Sequence, residues 1–248
     1  MGTDKSRIFF RGEMLIDRMI KMVSTYSDDI IISGKKETNQ SKVQVIEDVQ
    51  PDKGPLSGIY TGLKNAKHDW VLVLACDMPL FDKDLINWLV EQLNTIKDQR
   101  TAIVRSKKEH YLVGFYHRSL INDVATYLMS NDLSVRQLVQ GSQNNTWELP
   151  TQLQNTIANV NSPEDLGNFG WMKVKILAFG QIQEVIGQPD MEWITEGNSL
   201  SDLKRELCDH FPTLNQLTFR MAVNETFVND QDLKMNDTIA LLPPFAGG

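Results

Sequence analysis

Trp70-Val71-Leu72-Val73-Leu74-Ala75-Cys76-Asp77-Met78-Pro79 is the stretch that decides the fold. Trp70 to Cys76 are all apolar and several are branched. Such a run reads as a strand buried on both faces, the form strands take in a parallel sheet under helices. Met78-Pro79 is expected to stop it, because proline restricts the residue before it and cannot donate to a ladder. Asp77 then falls just past the carboxyl end of a central strand, the edge at which open α/β sheets bind ligands. A carboxylate there suits a hard cation such as magnesium, and through it a polyphosphate. From the residues alone, Asp77 is equally a turn former ahead of Met-Pro.

Elements alternate on both sides of this stretch. Upstream, Ile8-Phe9-Phe10 and Glu13-Met14-Leu15 read as strands around an Arg11-Gly12 turn. Ile16, Met19, Ile20 and Val23 share one helical face. Ile30-Ile31-Ile32 and Val43-Gln44-Val45-Ile46 read as strands, the second leading to Asp48. In Gly54-Pro55-Leu56-Ser57-Gly58 two glycines flank a proline, so the backbone turns tightly or approaches a ligand closely. Ser57 is a candidate cap for a helix carrying Ile59, Leu63 and Ala66. Downstream, Asp82 opens a helix with Leu85, Ile86, Leu89, Val90 and Leu93 on one face. Ala102 to Val104 and Leu112 to Tyr116 read as strands, Leu120 to Leu128 and Val135 to Val139 as helices, and Ile157 to Val160 as a last strand. Ser162-Pro163-Glu164-Asp165 carries the signals of a helix start. The alternation predicts an α/β layered fold.

The pattern restarts near Phe169 to Met172. Lys173 to Phe179 and Met191 to Ile194 read as a strand pair, and Ser199 caps a helix bearing Leu200, Leu203 and Leu207. A strand pair around Asn224-Glu225 and a strand at Thr238 to Leu242 complete a small α+β roll of the ubiquitin type. We therefore expect domains at 1–168 and 172–248. The final Pro243-Pro244-Phe245-Ala246-Gly247-Gly248 would project semi-rigidly from the last strand. Glycines can thread a narrow channel, leaving the terminal carboxylate as a reactive group.

The chain has 248 residues, 41% hydrophobic and 23% charged, the balance of an ordinary globular protein. A net charge of -7 argues against a nucleic-acid polymer as partner. Cys76 and Cys208 lack both disulfide-framework and metal-ligand spacing, which points to a reducing cytoplasm. No membrane span and no signal peptide is read. Cys76 reads as a small buried residue rather than a nucleophile, and His110 and His117 receive no role. Asp48 is a loop acid or an acceptor for a purine or ribose. Asn159 and Asn161 read as caps.

Asp48, Gly54-Pro55-Leu56-Ser57-Gly58, Leu74-Ala75-Cys76-Asp77-Met78-Pro79 and Asn159-Val160-Asn161-Ser162-Pro163-Glu164-Asp165-Leu166, in that order, resemble molybdenum cofactor guanylyltransferase. The resemblance implies a Rossmann-like nucleotidyltransferase sheet, and GMP transfer from GTP to molybdopterin with magnesium and release of pyrophosphate. It implies that Lys5 contacts the GTP phosphates, Asp48 binds the guanosine, Gly54 and Gly58 line the nucleotide site, and Asp77 holds magnesium (Mg2+). Asn159 and Asn161 would lie on the pterin side. The family opens with a strand and a Leu-x-Gly-Gly-x-Ser-x-Arg-Met-Gly-x-Asp-Lys loop, and this sequence starts at the Met-Gly-Thr-Asp-Lys end of it. We therefore expect either a start further upstream or an impaired domain. Ser33-Gly34 stands where an asparagine is expected near the base.

Lys173 to Phe179, the Ser199 helix and Leu242-Pro243-Pro244-Phe245-Ala246-Gly247-Gly248 resemble the small subunit of molybdopterin synthase, a ubiquitin-like β-grasp sulfur carrier. Phe245 is bulkier than that family's pattern. The resemblance implies that an ATP-dependent, E1-like adenylating enzyme activates the Gly248 carboxylate, which becomes a thiocarboxylate and donates sulfur in the large synthase subunit. Two alternatives stand beside this reading: an inactive first domain with only the carrier at work, and a nucleotidyltransferase of other specificity.

Overall fold

The computed structural model describes residues 8–10, 13–34, 43–50, 53–130, 133–159 and 163–244. Two compact units form. The first is Met19–Ala158, and the second joins the residues up to Arg18 to those from Asn159 onward. Packing thus draws a different line from 1–168 and 172–248. The physical reason is that strand β1 (Ile8–Phe10) pairs with a strand of the second unit, as described below. The Arg11-Gly12 turn lies outside the described residues. Strand β2 (Glu13–Met14) returns from it, and helix α1 (Leu15–Val23) follows.

In the first unit, β3 (Ile31–Ser33) and β4 (Gln44–Ile46) form a parallel pair. Helix α2 (Pro55–Asn65) starts where Pro55 presets the first helical φ, after Gly54 at φ 64°. The expected cap is corrected here: Ser57 is buried inside the first turn, and the N-cap position is Gly54, which has no side chain to cap with. Leu56, Ile59 and Leu63 bury the inner face, each contributing about 1.5–3 kcal/mol.

Strand β5 (Trp70–Leu74) ends before Met78-Pro79, although Ala75 N–H still bonds Leu112 O at 3.0 Å. It pairs antiparallel with β7 (Glu109–His117), which pairs antiparallel with β6 (Thr101–Arg105). Strand β8 (Asn144–Glu148), not anticipated from its polar sequence, runs parallel to β6. The sheet order is β5-β7-β6-β8.

The burial expected of β5 is corrected. Every residue from Trp70 to Leu74 keeps partial exposure. Among the described residues β5 has a partner on one edge only, and β3 likewise, while α2 packs on both strands. Asp82 caps α3 (Lys83–Leu93) as read, accepting from Leu85 N–H at 3.0 Å. Leu85, Ile86 and Leu89 are buried, but Val90 is 40% exposed. Helices α4 (Ile121–Met129) and α5 (Val135–Gly141) follow. Thr151–Ile157 is a 3-10 helix, so no strand forms across Ile157 to Asn159, and Val160 lies outside the described residues.

In the second unit, α6 (Pro163–Gly167) starts at the anticipated proline. Strand β9 (Met172–Ala178), helix α7 (Gln181–Ile186), strand β10 (Asp190–Thr195) and helix α8 (Leu200–His210) follow. Then come β11 (Arg220–Val223), β12 (Thr226–Phe227) and β13 (Thr238–Leu242). The β11–β12 turn holds Asn224 at φ 47° and Glu225 at φ 68°, the positive values a tight hairpin needs. The seven strands order as β12-β11-β13-β9-β10-β1-β2, with β13 parallel to β9 at the centre. Ser199 caps α8 as read, its hydroxyl accepting from Asp202 N–H at 3.1 Å. Leu200, Leu203 and Leu207 pack over Val174, Ile176, Trp193, Ile239 and Leu241. This is a β-grasp sheet with its helix across one face.

One carboxylate ties α8 to the end of β10. Glu206 accepts from Trp193 Nε1 at 3.0 Å, Thr195 Oγ1 at 3.0 Å and Gly197 N–H at 3.1 Å. Removing it strands the indole N–H of the buried Trp193 and loses a bond to Thr195. Glu206→Ala should cost about 2 kcal/mol in urea unfolding, and Glu206→Gln less. Close by, burial lowers the pKa of His210 from its ordinary 6.5, against an opposing pull from Glu13. The unfolded chain therefore binds a proton there that the folded unit resists, so stability falls as pH drops below about 6.5. The urea midpoint of the β-grasp unit should fall between pH 7 and 5, and His210→Gln should flatten that dependence.

Candidate active site

The candidate residues of the first unit gather at the carboxyl ends of its parallel strands. Ser33 ends β3, Asp48 follows β4 by two residues, and α2 opens at Gly54-Pro55. The Ser33 hydroxyl donates to Asp48 Oδ1. Gly34, at φ 105°, continues the pairing through its N–H to Ile46 O at 2.9 Å. Gly58 lies against this pair, since a β-carbon on it would sit 3.3 Å from Ser33 Oγ. Gly54 differs, because a β-carbon there would meet nothing within 4 Å. What position 54 requires is its backbone conformation.

Two hydroxyls in the apolar face of α2 hold the segment after Asp48. Ser57 Oγ accepts from Gln50 N–H at 3.3 Å, and Thr61 Oγ1 accepts from Val49 N–H at 3.5 Å. Thr61 also donates to Ser57 O at 3.0 Å. Sequence reading missed Ser33 and Thr61 as positioning groups and gave Ser57 the wrong role. Their available signal was two hydroxyls four residues apart on a helix face otherwise filled by Leu56, Ile59 and Leu63.

Asp77 lies three residues past Leu74, beyond the carboxyl end of β5 and partly buried. Antiparallel register pairs Leu74 with Val113, so the start of β7 shares that edge of the sheet. There Tyr111 donates to Glu109 Oε2, and Arg105 Nη2 lies 3.0 Å from Glu109 Oε1. The tyrosine hydrogen bond, then the arginine, hold the partly buried Glu109 below the usual carboxylate range. Tyr116 donates to Tyr111 O at 2.6 Å, and burial raises its pKa, keeping the donor protonated. His110 meets Ser106 Oγ at 2.8 Å, and burial lowers its pKa. Cys76 is partly buried and Cys208 is buried.

The structure brings Asp48, Gly54 and Gly58 to one corner and puts Asp77 past the end of β5 in the same unit. Asn159 is exposed and falls in the other unit. Lys5, Asn161 and Gly248 lie outside the described residues. Among those described, no three His, Cys, Asp or Glu side chains group as metal ligands, and no helix is long and apolar enough to cross a membrane.

Fold and site thus define an α/β nucleotidyltransferase-type unit together with a ubiquitin-like β-grasp unit. The MobA-like NTP transferase domain family matches residues 1–146, more than half the chain, and the protein belongs to that family. The ThiS family matches residues 176–248. A curated relative from Aquifex aeolicus, described as a probable molybdenum cofactor guanylyltransferase, is 27% identical over 66% of this chain and 81% of its own. A molybdenum cofactor guanylyltransferase of Pseudomonas entomophila is 37% identical over 42% of this chain and 56% of its own. Molybdopterin-guanine dinucleotide biosynthesis protein A of Archaeoglobus fulgidus superposes with a TM-score of 0.58 at 16% identity, covering 67% of this chain and 89% of its own. That likeness concerns the fold alone.

The corner at Gly58 is tight enough to test. Gly58→Ala gains helix propensity of about 1 kcal/mol but presses on Ser33, so its net effect on urea unfolding should be near zero. Gly58→Val should cost about 1–3 kcal/mol by forcing α2 away from Ser33.

Proposed function

We propose that this protein serves molybdenum cofactor synthesis in two ways. The first unit transfers GMP from GTP to molybdopterin, and the β-grasp unit carries sulfur on Gly248. The observation that carries the transferase part is Asp48, held by Ser33 against Gly58 at the carboxyl edge of β3 and β4, in a unit that also presents Asp77 past β5. Asp48 has a second oxygen, Oδ2, with which to accept from the N–H groups of a guanine or from a ribose hydroxyl. Gly54 and Gly58 leave the start of α2 without their own side-chain bulk where the nucleotide would pass, and a helix N-terminus suits an anion. Lys5 would meet the phosphates, and Asn159 and Asn161 the pterin.

The donors fit magnesium, which takes one or two carboxylates together with substrate phosphates and water rather than a full protein cage. Asp77 would hold it, and when bound it would offset charge on the triphosphate. In the transfer, a phosphate oxygen of molybdopterin attacks the α-phosphorus of GTP. The bond from that phosphorus to the bridging oxygen breaks, and pyrophosphate leaves. The chain's own work is to hold base and phosphates in line with the acceptor.

For the carrier, the support is the ThiS family match running to residue 248 and the central parallel pair of β9 and β13, with β13 ending just before Pro243-Pro244. A separate adenylating enzyme would join the Gly248 carboxylate to AMP from ATP, releasing pyrophosphate. Sulfide-level sulfur from a donor would then attack the acyl carbon, breaking its bond to AMP, which leaves, and the large subunit of molybdopterin synthase would take the thiocarboxylate. A second reading, in which the first unit no longer turns over, draws on the partial exposure of strand β5.

Pyrophosphate release from GTP and molybdopterin tests the transferase. The native chain should require magnesium, and Asp77→Asn should lose about 100-fold, the scale of one lost electrostatic stabiliser. Absence of release by the native chain would leave the second reading. The carrier is tested separately by mass spectrometry of the C-terminal peptide from cells. A sulfur-for-oxygen mass gain is expected, and it should vanish when Gly248 is deleted.

A further inference from the structure

The outer edge of β10 is occupied by a segment from the far end of the chain. Ile8, Phe9 and Phe10 pair in parallel with Glu192, Trp193 and Ile194, and β2 folds back antiparallel on β1. Successive strand residues point to opposite faces, and each phenylalanine meets its own aromatic surface. Phe9 stacks on Trp193, centroids 5.7 Å apart and planes within 8°, with His210 edge-on at 5.9 Å. Phe10 packs on Trp171 at 4.6 Å, and Trp171 stacks on Phe169 at 4.8 Å. Phe10 and Trp193 are both fully buried.

The surfaces that grip the strand come from α6–β9, β10 and α8, all elements of the β-grasp unit. The segment they grip falls within the match to the other family, residues 1–146. We propose that the outer edge of β10 is a strand-acceptor site, taking an extended segment in parallel register with two consecutive aromatic residues. Strand β1, backed by β2, is its ligand in cis, a displaceable strap. Recognition divides as in other strand additions. Backbone hydrogen bonds to β10 supply adhesion, and the two aromatic surfaces, one on each face, supply selectivity and register. The strap also removes an open edge that would otherwise pair with other chains. This inference rests on neither the transfer nor the sulfur chemistry.

Hydrogen exchange on the full-length chain tests it. In Phe9→Asp, the alternate β10 amides that face β1 should exchange about tenfold faster or more, while β9 and β13 amides keep their protection. A peptide spanning residues 6–15, added in excess, should restore β10 protection saturably, and the same peptide carrying Phe9→Asp should not. Unchanged β10 exchange in the variant, or no restoration by the native peptide, overturns the proposal. A second test needs no destabilising substitution. Directly paired residues lie within disulfide reach, so Ile8→Cys with Glu192→Cys should oxidise to an intramolecular bridge. Ile8→Cys with Met191→Cys, one residue out of register, should not. Failure of the first pair, or equal bridging by both, overturns it too.

Discussion

Along the edge of every strand, backbone N–H and C=O groups must be paired, covered or given to water. This constraint shapes both units. In the β-grasp sheet it is met on β10 by the pairing with β1, which draws the start of the chain into the second unit. In the first unit it is met only partly. Strands β3 and β5 lie under the same helix, yet belong to separate sheets with an edge apiece unpaired among the described residues. Water then reaches a strand whose composition is that of a sheet centre, and Trp70 to Leu74 all keep partial exposure.

The candidate site follows from the same arrangement. Parallel pairing of β3 and β4 sets Ser33 beside Asp48, and the hydroxyls of Ser57 and Thr61 fasten the backbone just beyond. The corner proposed for the guanosine is therefore built from partly buried polar contacts beside α2, and none of them involves the open edge of β5. Asp77 does sit past the end of that strand. In the proposed transfer, base recognition and metal binding thus rest on elements of unequal support.

Much of this was legible in the residues. The Asp82 and Ser199 caps, the turn at Asn224-Glu225, the apolar face of α8 and the sulfur-carrier roll were carried by local signals that tertiary packing did not override. Asp48, Gly54, Gly58 and Asp77 were named as candidates through the resemblance to a family's motifs, because a glycine, a proline or an acid at a strand end serves a turn as readily as a site. The misses have physical causes. Seven apolar residues specify a strand but not how many neighbours it finds, so the burial of β5 was misjudged. Strand β8 is too polar to read as a strand and exists because β6 offers it a parallel edge. Ser57 looked like a cap, but Pro55 starts the helix earlier. Pairing between β1 and β10 spans more than 180 positions and leaves no local trace.

The central claim is that the corner formed by Ser33, Asp48 and Gly58 reads a guanine nucleotide. Equilibrium titration of the chain with GTP and with ATP, in magnesium, tests it most directly. The account predicts tighter binding of GTP, and loss of that preference in Asp48→Ala with the β3–β4 amides still protected. Equal affinity for the two nucleotides, or a preference that survives Asp48→Ala, would contradict it.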